Sequence, residues 1–112
     1  MRKISGHIVI PSDCPIINFA KILIEVCDVS RVDAPSIVVA QSQIDDVNIR
    51  PNDRIPFSIN VPEVSESQSL NLRIHISLAG DFDIKSGDLL TTRSYPVPSH
   101  GPSHISVLVN RI

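Results

Sequence analysis

Tryptophan is absent from this 112-residue chain, and its aromatic residues are Phe19, Phe57, Phe82 and Tyr95 alone. Ring stacking on bases or sugars needs several exposed rings, so a set this sparse argues against a nucleic-acid or glycan platform. An excess of charge is also missing: ten Lys and Arg against twelve Asp and Glu leave a formal net of −2, and the cations are scattered. No basic stripe marks a nucleic-acid face. No apolar run approaches the ~20 residues of a membrane-spanning helix. The two cysteines, Cys14 and Cys27, are too few for a disulfide framework; a bridge between them would need an oxidising compartment, and free thiols are expected.

Met1-Arg2-Lys3 leads straight into Ile4, with no apolar leader of ~7–15 residues and no cleavage signal. Read literally, the chain stays in the cytoplasm; a mature protein whose leader had been removed would look the same. Its length and its 42% apolar share fit one domain over residues 1–112, with a core that needs no metal or disulfide staple.

What the sequence does contain is period-two alternation, punctuated by turn formers. Residues 4–10 read as a short strand stopped at Pro11. In 19–28, Ala20, Ile22, Ile24 and Val26 point one way and are assigned to the core; Lys21, Leu23, Glu25 and Cys27 point the other. A loop follows, then 36–44, where Val38, Ala40 and Ile44 compete with Ile37 and Val39 for the inner face. Residues 45–54 hold Asn48, Pro51, Asn52 and Asp53 and read as loop. In 55–61, Ile55, Phe57, Ile59 and Val61 share a face, and Pro56 on the other parity marks an edge strand. The cleanest alternation is 70–78, with Leu70, Leu72, Ile74, Ile76 and Leu78 inward and Asn71, Arg73, His75 and Ser77 outward. Residues 89–95 form a strand ended by Pro96, and 104–110 the last, with Ile105, Val107 and Val109 on one face.

No segment has the helical period. The expected class is all-β: a single-domain antiparallel β-sandwich of about seven strands, immunoglobulin-like or transthyretin-like in outline. The Cys…Trp…Cys pattern of antibody domains is absent.

Chemistry-bearing residues are few. His100 and His104 flank a Gly-Pro-Ser turn, and two near imidazoles could hold zinc or copper, though no further ligand is marked by spacing. His75 on a polar strand face and His7 near a strand start have no evident partner. Asp81, Asp83 and Asp88 echo a calcium loop, but Lys85, Ser86 and Thr92 occupy positions where that loop needs a ligand, a glycine and a bidentate Glu. A solvated hairpin with Ser86-Gly87 at its tip is expected instead. No GxSxG elbow, phosphate-cradling glycine loop or HExxH occurs. No catalytic residue, cofactor or metal is therefore assigned, and the chain reads as a non-enzyme. Apolar residues on outward parity, namely Val9, Leu23, Ile37, Val39 and Leu108, would form a partner-binding patch if their strands share a sheet.

The stretch IEVCDVSRVDAPSIVVAQSQI resembles the signature of the YbaY-type lipoprotein family, which includes the YscW-type pilotins of type III secretion. In that pattern a strand ends in Asp-x-Ser, passes an Asp-Ala-Pro loop and resumes as a Val/Ala-rich strand. The matching positions are Asp28, Ser30, Asp33, Ala34 and Pro35, then 37–41. Ile55-Pro56-Phe57-Ser58-Ile59, Leu72-Arg73-Ile74-His75-Ile76 and Gly87-Asp88-Leu89-Leu90-Thr91-Thr92 with Tyr95-Pro96-Val97 follow the family order, so the likeness spans 6–111. The lipidated N-terminal cysteine of the anchored members has no counterpart, and 81–85 lengthen one hairpin.

The resemblance implies a non-enzymatic, pilotin-like chaperone or accessory protein of the bacterial envelope, with a protein partner such as a secretin or another secretion component, and no nucleic acid. It carries no catalytic residues, so the matched motif is structural. The alternatives from other classes are a small-ligand or carbohydrate-binding module and metal binding at the His100/His104 turn.

Overall fold

Successive side chains of a strand point to opposite faces, so a run apolar at every second residue must cover something on one side. A computed structural model describes residues 2–30, 33, 35–62, 68–98 and 103–112; Ala34 and His100 lie outside the described residues. Every regular element among these is a strand: β1 (Arg2–Val9), β2 (Ile17–Asp28), β3 (Ile37–Ile49), β4 (Arg54–Val61), β5 (Leu70–Ser77), β6 (Leu89–Leu90), β7 (Pro96–Val97), β8 (Ser103–Leu108) and β9 (Asn110–Arg111). β4, β1 and β8 form a small sheet in that order; β3, β2, β5, β6 and β9 form a larger one, with β7 also paired to β5.

The inner faces of the two sheets make the core. Ile4 and Ile8, Phe57, Ile59 and Val61, and Val107 come from the small sheet. They meet Ala20, Ile22, Ile24 and Val26 of β2 and Leu70, Leu72, Ile74 and Ile76 of β5, all buried. Each large side chain so covered contributes roughly 1.5–3 kcal/mol before entropy is set against it. Pro56 sits on β4, an edge strand whose one partner is β1, where its missing N–H leaves no gap inside the sheet.

Nine strands stand where alternation predicts about seven, because one run is interrupted along a single partner and another changes sheets. Between β6 and β7 the backbone keeps two bonds to β5, Thr91 N to Ile74 O and Leu72 N to Tyr95 O, while 92–94 leave the ladder. β8 pairs with β1 in the small sheet, and two residues later β9 pairs with β6 in the large one. Val109 is fully buried at this crossing. Tyr95 fixes it: its hydroxyl accepts from Leu108 N at 2.9 Å and donates to Leu108 O at 3.2 Å.

Three further expectations are corrected. The inner-face ambiguity of 36–44 is a bulge: Cys27 pairs with Val38 but Val26 with Ala40, leaving Val39 as the extra residue. Residues 45–49 are strand, since β3 runs on to a buried Ile49. A second β3 bulge, with Asp46 at φ 54°, and one in β2 at Phe19, φ 60°, compensate each other along the ladder. Leu78 is 38% exposed, because the β5 ladder ends at Ser77 and the chain turns off.

The sandwich is also not wholly antiparallel. β1 and β8 run parallel, with Gly6 opposite Ile105. A Cβ built on Gly6 would lie 1.9 Å from the Ile105 carbonyl oxygen, so only glycine admits β8 at this distance. Gly6→Ala is expected to cost about 1–3 kcal/mol or more by forcing the backbones apart; an unchanged denaturation midpoint would refute the close approach.

Cys14 and Cys27 are free and buried, and burial pushes both thiols above their ordinary range despite nearby Arg111 and Arg73, respectively. Both should resist Ellman's reagent in the native protein and react on unfolding. Rapid native labelling of either would contradict their placement.

Candidate functional site

On the outer face of the large sheet, strand register lines up two rows of side chains. Leu23 stands opposite Gln43 on one side and His75 on the other, and His75 stands opposite Leu90. In the next row Glu25 faces Arg73, and the two form an ion pair at 3.0 Å with Arg73 half in water. Such a pair adds little stability, about 0–1 kcal/mol, but it puts a charged pair beside an apolar row.

The hairpin loop of residues 78–88 turns this face into a groove. Leu23, Glu25, Arg73, His75, Phe82, Ile84, Leu90 and Thr91 line a concavity of about 310 Å³. Ile84 is 67% exposed, and Leu23, Phe82 and Leu90 are half-buried. Phe82 meets the His75 ring edge-on at a centroid distance of 5.9 Å, a favourable aromatic geometry. Ser77, fully buried, takes the Gly80 and Phe82 amides on its hydroxyl at 3.0 and 3.3 Å, which holds the loop against the sheet.

Asp88 anchors the other end of the loop. Far from being a solvated loop carboxylate, it is 1% exposed. His75, placed outward and unpartnered by its parity, is buried and bonds to it, Nε2 to Oδ2 at 2.8 Å. The Leu78 amide donates to Oδ1 at 3.1 Å and the Lys85 amide to Oδ2 at 3.2 Å. Burial alone would raise this carboxyl. The bonds from His75, Leu78 and Lys85 outweigh it and hold the group below its ordinary range. Asp81 pairs with Lys85 at the surface.

The five outward apolar candidates do not share a sheet. Leu23 lines the groove. Ile37, 65% exposed, and half-buried Val39 lie on β3, with Ile37 paired to Asp28, five residues along β2 from Leu23. Val9 and Leu108 are half-buried and face each other across the small sheet. The groove residues Phe82, Ile84 and Leu90 escaped sequence reasoning, because a loop folding onto a sheet leaves no periodic signal.

The Asp28 loop is tied by its own polar atoms. Asp28 Oδ1 accepts from the Ser30 amide at 2.9 Å and the Ser30 hydroxyl at 2.5 Å, and Oδ2 accepts from Gln68 at 3.0 Å. Ser30 Oγ takes the Ser69 amide at 2.8 Å, so the motif joins the end of β2 to the start of β5. Asp33 and Pro35 are exposed beside it. Among the described residues no group of three or more His, Cys, Asp or Glu is placed to hold a metal. His104 bonds to His7, from the opposite end of the chain, at 3.0 Å.

No family model and no curated protein matches the sequence. Among solved structures the chain is similar to an alternative pilotin from the type II secretion system of Vibrio cholerae. Identity is 17%, the TM-score 0.75, and the match covers 99% of this chain and 96% of that one. The chain thus has a pilotin-like, all-β fold. No helix among the described residues is long and apolar enough to cross a membrane.

Asp88→Asn should destabilise the protein at pH 7 by about 1.5–3 kcal/mol, the worth of hydrogen bonds to a charged group. The sign in pH follows from the lowered carboxyl: its contribution is complete above the unfolded value near ~4 and is lost as pH falls through the lower folded value. Urea titrations should show the gap between wild type and variant closing below about pH 4; a gap that persists there would remove Asp88 as the acid-sensitive group.

Proposed function

We propose that this domain is a non-enzymatic, protein-binding accessory of a bacterial secretion system, a pilotin-like chaperone of the YbaY/YscW type, and that its groove receives the partner. The observation that carries this reading is the likeness of nearly the whole chain to a solved pilotin. The groove supports it further. Half-buried Leu23, Leu90 and Phe82 with exposed Ile84 offer apolar area to a partner segment. Glu25 and Arg73 at its side offer one charge of each sign to set orientation. The partner is an envelope or secretion component, and the matched Asp28–Ser30 motif serves the fold.

Leu23→Glu and Leu90→Glu place a charge in the groove without opening the core. Tagged wild-type protein should capture a secretion component from envelope extracts, and each variant should lose it while keeping its unfolding midpoint within about 1 kcal/mol. Empty captures from both membrane and soluble fractions would sink the reading. Full retention by both variants would move the interface off the groove.

A further inference from the structure

On the outer face of the small sheet, parallel pairing puts Ser5 opposite His104 and His7 opposite Ser106. The two imidazoles are thereby diagonal neighbours although 97 residues separate them in sequence. His7 Nδ1 stands 3.0 Å from His104 Nε2, with ring centroids 4.9 Å apart and planes tilted by 59°. His7 is half-buried and His104 exposed. Neither lines the groove, which lies on the other sheet.

We propose that His7 and His104 form a binding site for a late first-row divalent cation such as Zn2+ or Ni2+, with water filling the remaining positions. Two imidazole nitrogens, each about 2.0–2.1 Å from one ion and subtending between a right angle and a tetrahedral angle, stand about 2.8–3.4 Å apart. The observed separation falls in that interval, so the two nitrogens need not move apart; turning each ring until its lone pair points at the ion converts the hydrogen bond into a chelate. Imidazole is the side chain these ions share as a preferred ligand. Binding replaces the N–H···N bond between the rings: the donor ring carries its proton on its other nitrogen, so that both rings bind as neutral imidazoles through the nitrogens that face each other.

The scaffold makes the pair more than two histidines in proximity. Gly6, next to His7, fixes the spacing of β1 and β8 through its contact with Ile105. The register then dictates the diagonal, and both ligands ride on strands whose opposite faces are core: Ile8 and Val107 are fully buried. Serines border the site, with Ser58 opposite Ser5 and Ser106 opposite His7, and they can bond the waters of a bound ion. Among the described residues register brings no carboxylate to the pair, so the affinity rests on the two imidazoles.

Isothermal titration of the full chain with ZnCl2, and separately with NiCl2, tests this; neither ion oxidises the buried thiols. The expected result is one ion per chain with a submillimolar Kd, weakened at least about 10- to 100-fold in both His7→Gln and His104→Gln, with their denaturation midpoints unchanged in metal-free buffer. His100→Gln separates this pair from the turn histidines. Unchanged binding there supports the pair alone, and weakening in all three variants supports the pair with a third ligand. Millimolar or weaker binding by the wild type, or wild-type affinity in either His7→Gln or His104→Gln, would overturn the site.

Discussion

The groove exists because one carboxylate is buried. Taking Asp88 out of water costs several kcal/mol, and the molecule offsets this by aiming the His75 ring and two loop amides at its oxygens. The constraint spreads along the backbone on both sides. Asp88 N donates to Lys85 O, Ile112 N donates to Asp88 O, and Gly87 N donates to Ile112 O. The hairpin loop, the start of β6 and the last residue of the chain are therefore positioned by the same few atoms. Phe82 reaches the groove only because this loop is pinned, and His75 is buried only because the loop covers it. A hydrogen-bonded buried charge is specific in a way that apolar burial is not: a shift of the loop leaves donors and acceptor unpaired at once.

A second constraint holds the two sheets together. β8 belongs to the small sheet and β9 to the large one, so the crossing at Val109 ties the last strands into both. Val109 N bonds to Val9 O while the neighbouring Leu108 is clamped by the Tyr95 hydroxyl. Gly6 sets how near β8 can come to β1, and Tyr95 sets where β8 must end. Between them they fix the parallel register that places His7 beside His104.

Much of this architecture was legible in the sequence, and what was not has a common cause. Ala20 to Val26 and Leu70 to Ile76 announced the large sheet because alternation reports facing directly. Alternation does not report partners. Val107 and Val109 continue one pattern without interruption although the chain changes sheets between them, so 104–110 read as a single strand. Nor does parity survive a bulge: two candidate inner faces competed in 36–44 because Val39 is inserted and the phase changes there. Parity places His75 outward, as the structure does, but its burial comes from the loop of residues 78–88, through Phe82 and the bond to Asp88, 13 residues on. Leu23 is legible as an apolar residue on an outward face; Phe82, Ile84 and Leu90 join it through tertiary contacts that no local pattern records.

A likeness at 17% identity is physically intelligible on the same grounds. The core asks for apolar volume at period two, turns where the chain must reverse, and a glycine where strands approach closely, and many side-chain choices meet those demands. Recognition is less permissive, because it depends on which side chains stand on the outer faces. Shared architecture therefore transfers the two sheets, while under the proposed reading partner choice rests on the groove's side chains: Glu25 and Arg73 as an oriented charge pair, Leu23 and Leu90 as the apolar floor, and Phe82 and Ile84 on a loop whose position depends on Asp88. The groove and the His7–His104 pair sit on different sheets and share no residue, so substitutions at one should leave the other intact.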